Sequence, residues 1–212
     1  MSIAIVDYGR GNLHSVSKAV ERLGFEAVVT GDAQVIRASS GVILPGVGAF
    51  GDAMEHLRSS GLDRVIQEVA SAGQPLLGVC LGMQLLFTRG EEYGSHEGLN
   101  ILPGEVVRFA PDLGVKVPHM GWNRLRMTQP EHPLLQGLEE GHVYFVHSYH
   151  AKPEVESDLL AVTDYGGPVT AIVGRGHVYG MQFHPEKSGE MGMRLLRQFL
   201  ELAEAKKRAY DS

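Results

Sequence analysis

The chain has 212 residues, 43% hydrophobic and 21% charged, with a net charge of −6 and no Lys/Arg stripe before Lys206-Lys207-Arg208; this excludes a disordered chain and argues against nucleic acid as a partner. One cysteine excludes an internal disulfide, and no apolar run approaches the length of a membrane-spanning helix. The opening Met1-Ser2-Ile3-Ala4-Ile5-Val6-Asp7 lacks the basic start of a secretory signal and reaches an acid early, so one cytoplasmic domain over residues 1–212 is expected, with no membrane association.

Ile3-Ala4-Ile5-Val6 reads as a buried first strand with Asp7-Tyr8-Gly9 as its exit. Asn12 to Leu23 carries Leu13, Val16, Ala19, Val20 and Leu23 at helical spacing, and Gly24 ends it. Strands are predicted at Phe25–Val29 and Gly41–Leu44, the latter closed by Pro45-Gly46-Val47-Gly48, and helices over 52–60 and 62–72. Pro75-Leu76-Leu77 opens a strand to Val79, and Leu81 to Phe87 reads as a helix. Alternating β and α over this half predicts a parallel sheet with helices on both faces.

After Gly98 the pattern becomes short, turn-bounded strands. They are predicted at Val106–Phe109, Val115–Val117, Leu125–Met127, Val143–Val146, Leu159–Val162, Ala171–Gly174 and Val178–Phe183. A last helix, Glu190 to Arg208, presents Leu195, Leu196, Phe199, Leu200 and Ala203 on an apolar face.

Between strand and helix stands Gly78-Val79-Cys80-Leu81-Gly82, the outline of a nucleophile elbow with sulfur in place of oxygen. Glycines on both sides leave room for a strained turn, and the helix start that follows favours thiolate. A thiol nucleophile needs a base and a group that orients the base. Of ten histidines, His184 in Gln182-Phe183-His184-Pro185-Glu186 is best placed, past the end of an apolar strand. Glu186, two residues on, faces the same side in an extended segment and can hold the other ring nitrogen. An acyl intermediate needs an oxyanion hole; backbone N–H groups of Val47 and Leu81 are the candidates. There is no HExxH pairing, no phosphate loop, and too few cysteines for a zinc-thiolate site, so no metal and no cofactor are expected.

With these residues in view, the chain resembles the class I (triad) glutamine amidotransferases, through Gly78-Val79-Cys80-Leu81-Gly82-Met83-Gln84 and Phe183-His184-Pro185-Glu186. The resemblance implies a Cys80-His184-Glu186 triad that hydrolyses L-glutamine. It also implies a flavodoxin-like α/β fold: a mixed central sheet with helices on both faces and a β-rich second half. Asp7–Leu13, Leu44–Phe50, Lys116–Asn123 and Tyr144–Tyr149 are further similar to the glutaminase subunits of imidazole glycerol phosphate synthases. That similarity implies a heterodimer with a (β/α)8-barrel cyclase to which ammonia is passed.

By the same resemblance Gly48, Gln84 and Glu92 are glutamine-pocket residues, with Glu91 as the alternative to Glu92. His147, Ser148 and Tyr149 line the amino-acid end of the substrate. Asn12, Met120, Trp122 and Lys187 face the cyclase, Trp122 from a Met-Gly-Trp-Asn loop; for this tryptophan a place in the core is the competing reading. Three rival functions remain: a glutaminase for another synthase, such as the pyridoxal-phosphate one, a cysteine peptidase on a related fold, and a catalytically dead subunit. The Met120–Asn123 segment argues against the first, the lack of an acid in Pro45–Gly48 against the second, and the intact Cys80, His184 and Glu186 against the third.

Overall fold

The computed structural model describes residues 1–212. The first half alternates strand and helix: β1 (Ser2–Val6), α1 (Leu13–Arg22), β2 (Glu26–Thr30), α2 (Ala33–Ala38), β3 (Gly41–Leu44), α3 (Phe50–Ser60), α4 (Leu62–Ser71), β4 (Leu76–Val79) and α5 (Leu81–Leu85). The second half is strand-rich: β5 (Phe87–Gly90), β6 (His96–Glu97), β7 (Leu102–Arg108), β8 (His119–Met127), β9 (His142–His147), β10 (Tyr149–Pro153), β11 (Leu159–Asp164), β12 (Pro168–Arg175) and β13 (Val178–Met181). The long α6 (Gly189–Asp211) closes the chain. No helix is long and apolar enough to cross a membrane.

Nine strands form the main sheet in the order β2-β1-β3-β4-β13-β12-β11-β8-β9. The β2-to-β13 half is parallel and the remainder antiparallel. A smaller sheet, β10-β7-β5-β6, lies beside it. The two-residue period of a strand divides the core in two. Ile3 and Ile5 of β1 pack with α1 and α6 on one face, through Val16, Val20, Leu196 and Phe199. Ala4 and Val6 pack on the other with α3, α4 and the smaller sheet, through Phe50, Leu57, Ile66 and Phe87. Helices therefore cover both faces, as the alternation predicts.

Register brings the chemistry together. In the parallel pair β4 and β13, Val79 stands opposite Met181, so Cys80 and Gln182 leave the sheet side by side. The Cys80 N–H donates to the Met181 carbonyl at 2.8 Å. The strand carrying the nucleophile and the strand leading to His184 are thus neighbours at the centre of the sheet.

Several expectations need correction. Val115–Val117 is no strand: after the left-handed Gly114 the chain runs irregularly to Pro118 with both valines half-buried and no pairing partner. The Met-Gly-Trp-Asn segment is not a loop but part of β8, which spans His119–Met127 and pairs with β9 over His119–Arg124 and with β11 over Leu125–Met127. The helix after Cys80 stops at Leu85, and Phe87 instead opens β5. Helix α2, capped by the Asp32 carboxylate accepting from Gln34 N–H at 2.8 Å, buries only Ile36 and so carries no periodicity to read.

Candidate active site

Cys80 sits at φ 56° and ψ −117°, a backbone conformation that non-glycine residues rarely adopt and that recurs at strained functional turns. The turn is possible because α5 starts in contact with the end of β3. A Cβ on Gly82 would lie 1.9 Å from the Leu44 carbonyl oxygen, so no side chain fits there. The sequence Gly78-Val79-Cys80-Leu81-Gly82 is in this sense dictated by the approach of two backbones. Helix α5 has five residues, a little over one turn.

His184 is buried, and its Nδ1 meets the Glu186 Oε1 at 2.9 Å; the Glu186 side chain is only 2% exposed. The two do not share an extended strand as expected: Pro185–Lys187 form a 3-10 turn that folds the carboxylate back under the ring. Burial by itself lowers the imidazole's affinity for a proton. Hydrogen bonding to Cys80 and to Glu186, and the charges of both, outweigh it and raise the His184 pKa to about 10. With Nδ1 committed to Glu186, Nε2 is the nitrogen left for the thiol.

A cavity of about 340 Å³ opens over Cys80. Val47, Gly48, Leu81 and Gln84 line it from the first half of the chain, and Glu92, His147, Ser148, Tyr149 and His184 from the second. Every residue assigned to the oxyanion hole or the glutamine pocket thus falls on one cavity. Val146 also lines it and was missed; it is half-buried in β9, where Val143, Phe145 and His147 are buried and the residues between them are not.

The details of the lining are specific. Gly48 has φ +92° in open space, so its lack of a side chain serves backbone conformation and not packing. The preceding Val47 is exposed. Upstream, the buried Tyr8 hydroxyl donates to the Pro45 carbonyl at 2.7 Å, tying the exit of β1 to this segment. Burial raises the Tyr8 pKa well above its ordinary value, against a smaller lowering by Arg10, so the hydroxyl remains a donor. Gln84 Nε2 donates to the Tyr149 carbonyl at 3.1 Å and to Gln182 Oε1 at 3.0 Å. Gln182 is fully buried.

Between the two acids the geometry discriminates. Glu92 reaches the cavity and accepts from Phe50 N–H at 3.3 Å, whereas Glu91 accepts from Arg108 N–H at 2.9 Å and is not part of the lining.

The residues assigned to a partner lie elsewhere. Met120 and Trp122 are 61% and 57% exposed, which removes the reading of Trp122 as a core anchor. They alternate with the more buried His119, Gly121 and Asn123 along β8, so both point outward. A Cβ on Gly189 would meet Trp122 at 3.7 Å, next to the turn that carries exposed Lys187. Helix α1, which Asn12 precedes, packs against the same turn.

Comparison with known proteins gives the arrangement its relatives. The family model described as Glutamine amidotransferase class-I matches residues 4–203. The chain is 53% identical over 208 residues to "Imidazole glycerol phosphate synthase subunit HisH" of Geobacillus sp. (strain WCH70), covering 96% of this chain and 98% of that protein. The protein of the same name from Halalkalibacterium halodurans is 52% identical over 201 residues, covering 93% and 94%. A solved structure described as "Crystal structure of glutamine amidotransferase" superposes with a TM-score of 0.75 at 25% identity, covering 95% of this chain and 98% of that one. "Structure of PurLQS from Thermotoga maritima" shares the fold, with a TM-score of 0.73 at 19% identity and coverage of 95% and 98%. With nearly the whole chain matched in sequence and in fold, this protein belongs to the class-I glutamine amidotransferase family.

Proposed function

We propose that this chain is the glutaminase subunit of an imidazole glycerol phosphate synthase. It hydrolyses L-glutamine to glutamate and ammonia through a cysteine thioester. The ammonia passes to a (β/α)8-barrel cyclase subunit, which forms imidazole glycerol phosphate and an aminoimidazole carboxamide ribotide in histidine biosynthesis. With this reading go a heterodimer, a cytoplasmic location and one glutamine amidotransferase domain over residues 1–212. The observation that carries the activity is the 2.9 Å contact of His184 Nδ1 with a buried Glu186, behind a cavity that Cys80 and His184 line together. The names of relatives at about half identity over nearly the full chain support the choice of synthase.

The chemistry follows from the geometry. Glutamine enters the cavity with its side-chain carboxamide against Cys80. At neutral pH His184 already holds the proton as imidazolium; the Cys80 sulfur bonds to the amide carbon, and the carbonyl oxygen takes up negative charge. Backbone N–H groups of Val47 and Leu81 receive that charge, a contribution of about 3–4 kcal/mol per donor. His184 returns its proton to the nitrogen as the C–N bond breaks, and ammonia departs. A water, deprotonated by His184, then attacks the thioester carbon, and the C–S bond breaks to release glutamate and regenerate the thiol. Glu186 holds the ring's orientation and balances the imidazolium in both steps. Glu92 suits the α-amino group, while Gly48, Gln84 and the segment His147, Ser148 and Tyr149 frame the rest of the substrate. Asn12, Met120, Trp122 and Lys187 face the cyclase.

Replacement of the nucleophile tests the reading. Cys80→Ala in complex with the cyclase is expected to abolish glutamine-dependent synthesis and keep synthesis from added ammonium. Continued use of glutamine would exclude Cys80 as the nucleophile.

A further inference from the structure

In the cavity wall and directly behind it, buried His147 of β9 and buried His119 of β8 stand opposite each other, and the triad uses neither. His119 Nδ1 lies 2.9 Å from His147 Nε2. His147 Nδ1 lies 2.8 Å from the Tyr149 carbonyl oxygen. On the far side, Asn123 Nδ2 lies 3.3 Å from His119 Nε2. Three bonds in a row join the partner-facing strand to the pocket wall.

The direction of this row is fixed from both ends. A carbonyl only accepts, so His147 Nδ1 carries the hydrogen, and in a neutral ring its Nε2 is then bare. His119 Nδ1 must therefore donate, leaving His119 Nε2 as acceptor. At the other end Asn123 is oriented independently: its Nδ2 also donates to the Asp164 carbonyl at 2.9 Å, and its Oδ1 accepts from Arg124 N–H at 2.8 Å. Asn123 thus presents a donor to His119, which is what the tautomer argument requires. Burial keeps both rings neutral, lowering the His119 pKa to about 4. Burial does the same to His147, aided by His119 and His150 and opposed by the bond to Tyr149, to about 3.

We infer that His119 is a positioning residue for substrate binding: by donating to His147 it holds that ring as the Nδ1–H tautomer, which pins the Tyr149 carbonyl and with it the 147–149 wall of the cavity. The Tyr149 carbonyl accepts from His147 and from Gln84 Nε2 at once, so both of its lone pairs are occupied. Loss of either donor weakens the hold on this carbonyl. His119 is itself clamped between Tyr165, stacked at 3.9 Å, and Phe145, stacked at 4.7 Å, which restrains the ring from rotating out of the row. His119 does not line the cavity and touches no reacting atom, so its effect falls on binding and not on bond making. This inference rests on the reading of the cavity as the glutamine site.

The test is a pair of variants in the full complex with the cyclase. His119→Phe keeps the stacking and removes the donor. His119→Asn places an amide N–H near the position of Nδ1. The Phe variant is expected to raise the KM for glutamine about five- to tenfold with kcat little altered, and the Asn variant to restore most of the loss. A misfolded fraction would lower kcat and leave KM unchanged, so the split separates positioning from damage. Side-chain 15N spectra give a readout apart from activity: His147 is expected to show a protonated Nδ1 and a bare Nε2, a pattern lost in His119→Phe. Unchanged KM in the Phe variant, equal loss in both variants, or a wild-type His147 protonated at Nε2 would overturn the inference. Failure of the underlying reading shows separately, as glutamine turnover that survives Cys80→Ala.

Discussion

The His184 imidazole and the Glu186 carboxylate, two residues apart, meet at 2.9 Å only because Pro185–Lys187 coil into a 3-10 turn. Their contact, with that to Cys80, raises the His184 pKa to about 10 in spite of burial. Glu186→Gln keeps an acceptor but removes the charge, and kcat is expected to fall by about two to four orders of magnitude with little change in KM. In wild type the His184 ring is expected to stay imidazolium well above pH 7 by NMR titration, and to titrate lower in the Gln variant. The sign for stability follows. The raised value stabilises the fold fully below the ordinary histidine value of 6.5, and this contribution is lost as pH rises through about 10. The Tm difference between wild type and Glu186→Gln should therefore be largest near pH 6 and shrink toward pH 10.

Gln84 connects Tyr149 and Gln182 through one amide nitrogen. Gln84→Met fills the volume but leaves the fully buried Gln182 without its donor. A loss of about 1–3 kcal/mol in urea unfolding is expected, alongside weaker glutamine binding. A variant as stable as wild type would mean that water replaces the amide.

Gly82 has no room for a methyl group, since a Cβ would lie 1.9 Å from the Leu44 carbonyl. Gly82→Ala should cost about 3 kcal/mol, near the upper end of overpacking effects. It should also reduce the reactivity of Cys80 toward a glutamine-like electrophile by displacing the elbow. Labelling at the wild-type rate in a variant of wild-type stability would show that the elbow tolerates the shift.

Trp122 is 57% exposed beside Tyr144, with ring centroids 6.0 Å apart. Trp122→Ala is expected to leave the Tm of the isolated chain nearly unchanged and to weaken binding of the cyclase by more than about tenfold, the scale of a buried aromatic anchor. Calorimetric titration with the cyclase measures it. Equal affinity would move the interface off β8.

The elements that could be read from sequence are those whose burial repeats with a clear period. Helices α1, α4 and α6 and the strands β1, β3 and β4 carry continuous or regularly spaced apolar residues, because each is packed on a core face. Two-residue β6 and six-residue α2 are too short for any period to emerge. The Leu125–Met127 end of β8 reads as strand, but Met120–Asn123 reads as a loop because Gly121 and two exposed large residues interrupt the alternation that a core-facing strand would show. Of the candidate site, Cys80 and His184 stand out by glycine spacing and strand ends, whereas Glu186 is reached by an extended-segment argument that the 3-10 turn replaces. The row through Asn123 and His119 is not legible, since only the β8–β9 register, and no spacing along the chain, sets His119 across from His147.

The place of β13 has a consequence for synthesis of the chain. This strand, the last to be made, inserts at the middle of the main sheet, between β4 and β12, and the turn bearing His184 and Glu186 follows it. Cys80 leaves the ribosome long before its base does. A nascent or truncated chain therefore carries the Cys80 thiol without the imidazole and carboxylate proposed to serve it. In the order of synthesis, completion of the main sheet and assembly of the candidate triad therefore come together, at the end of the chain.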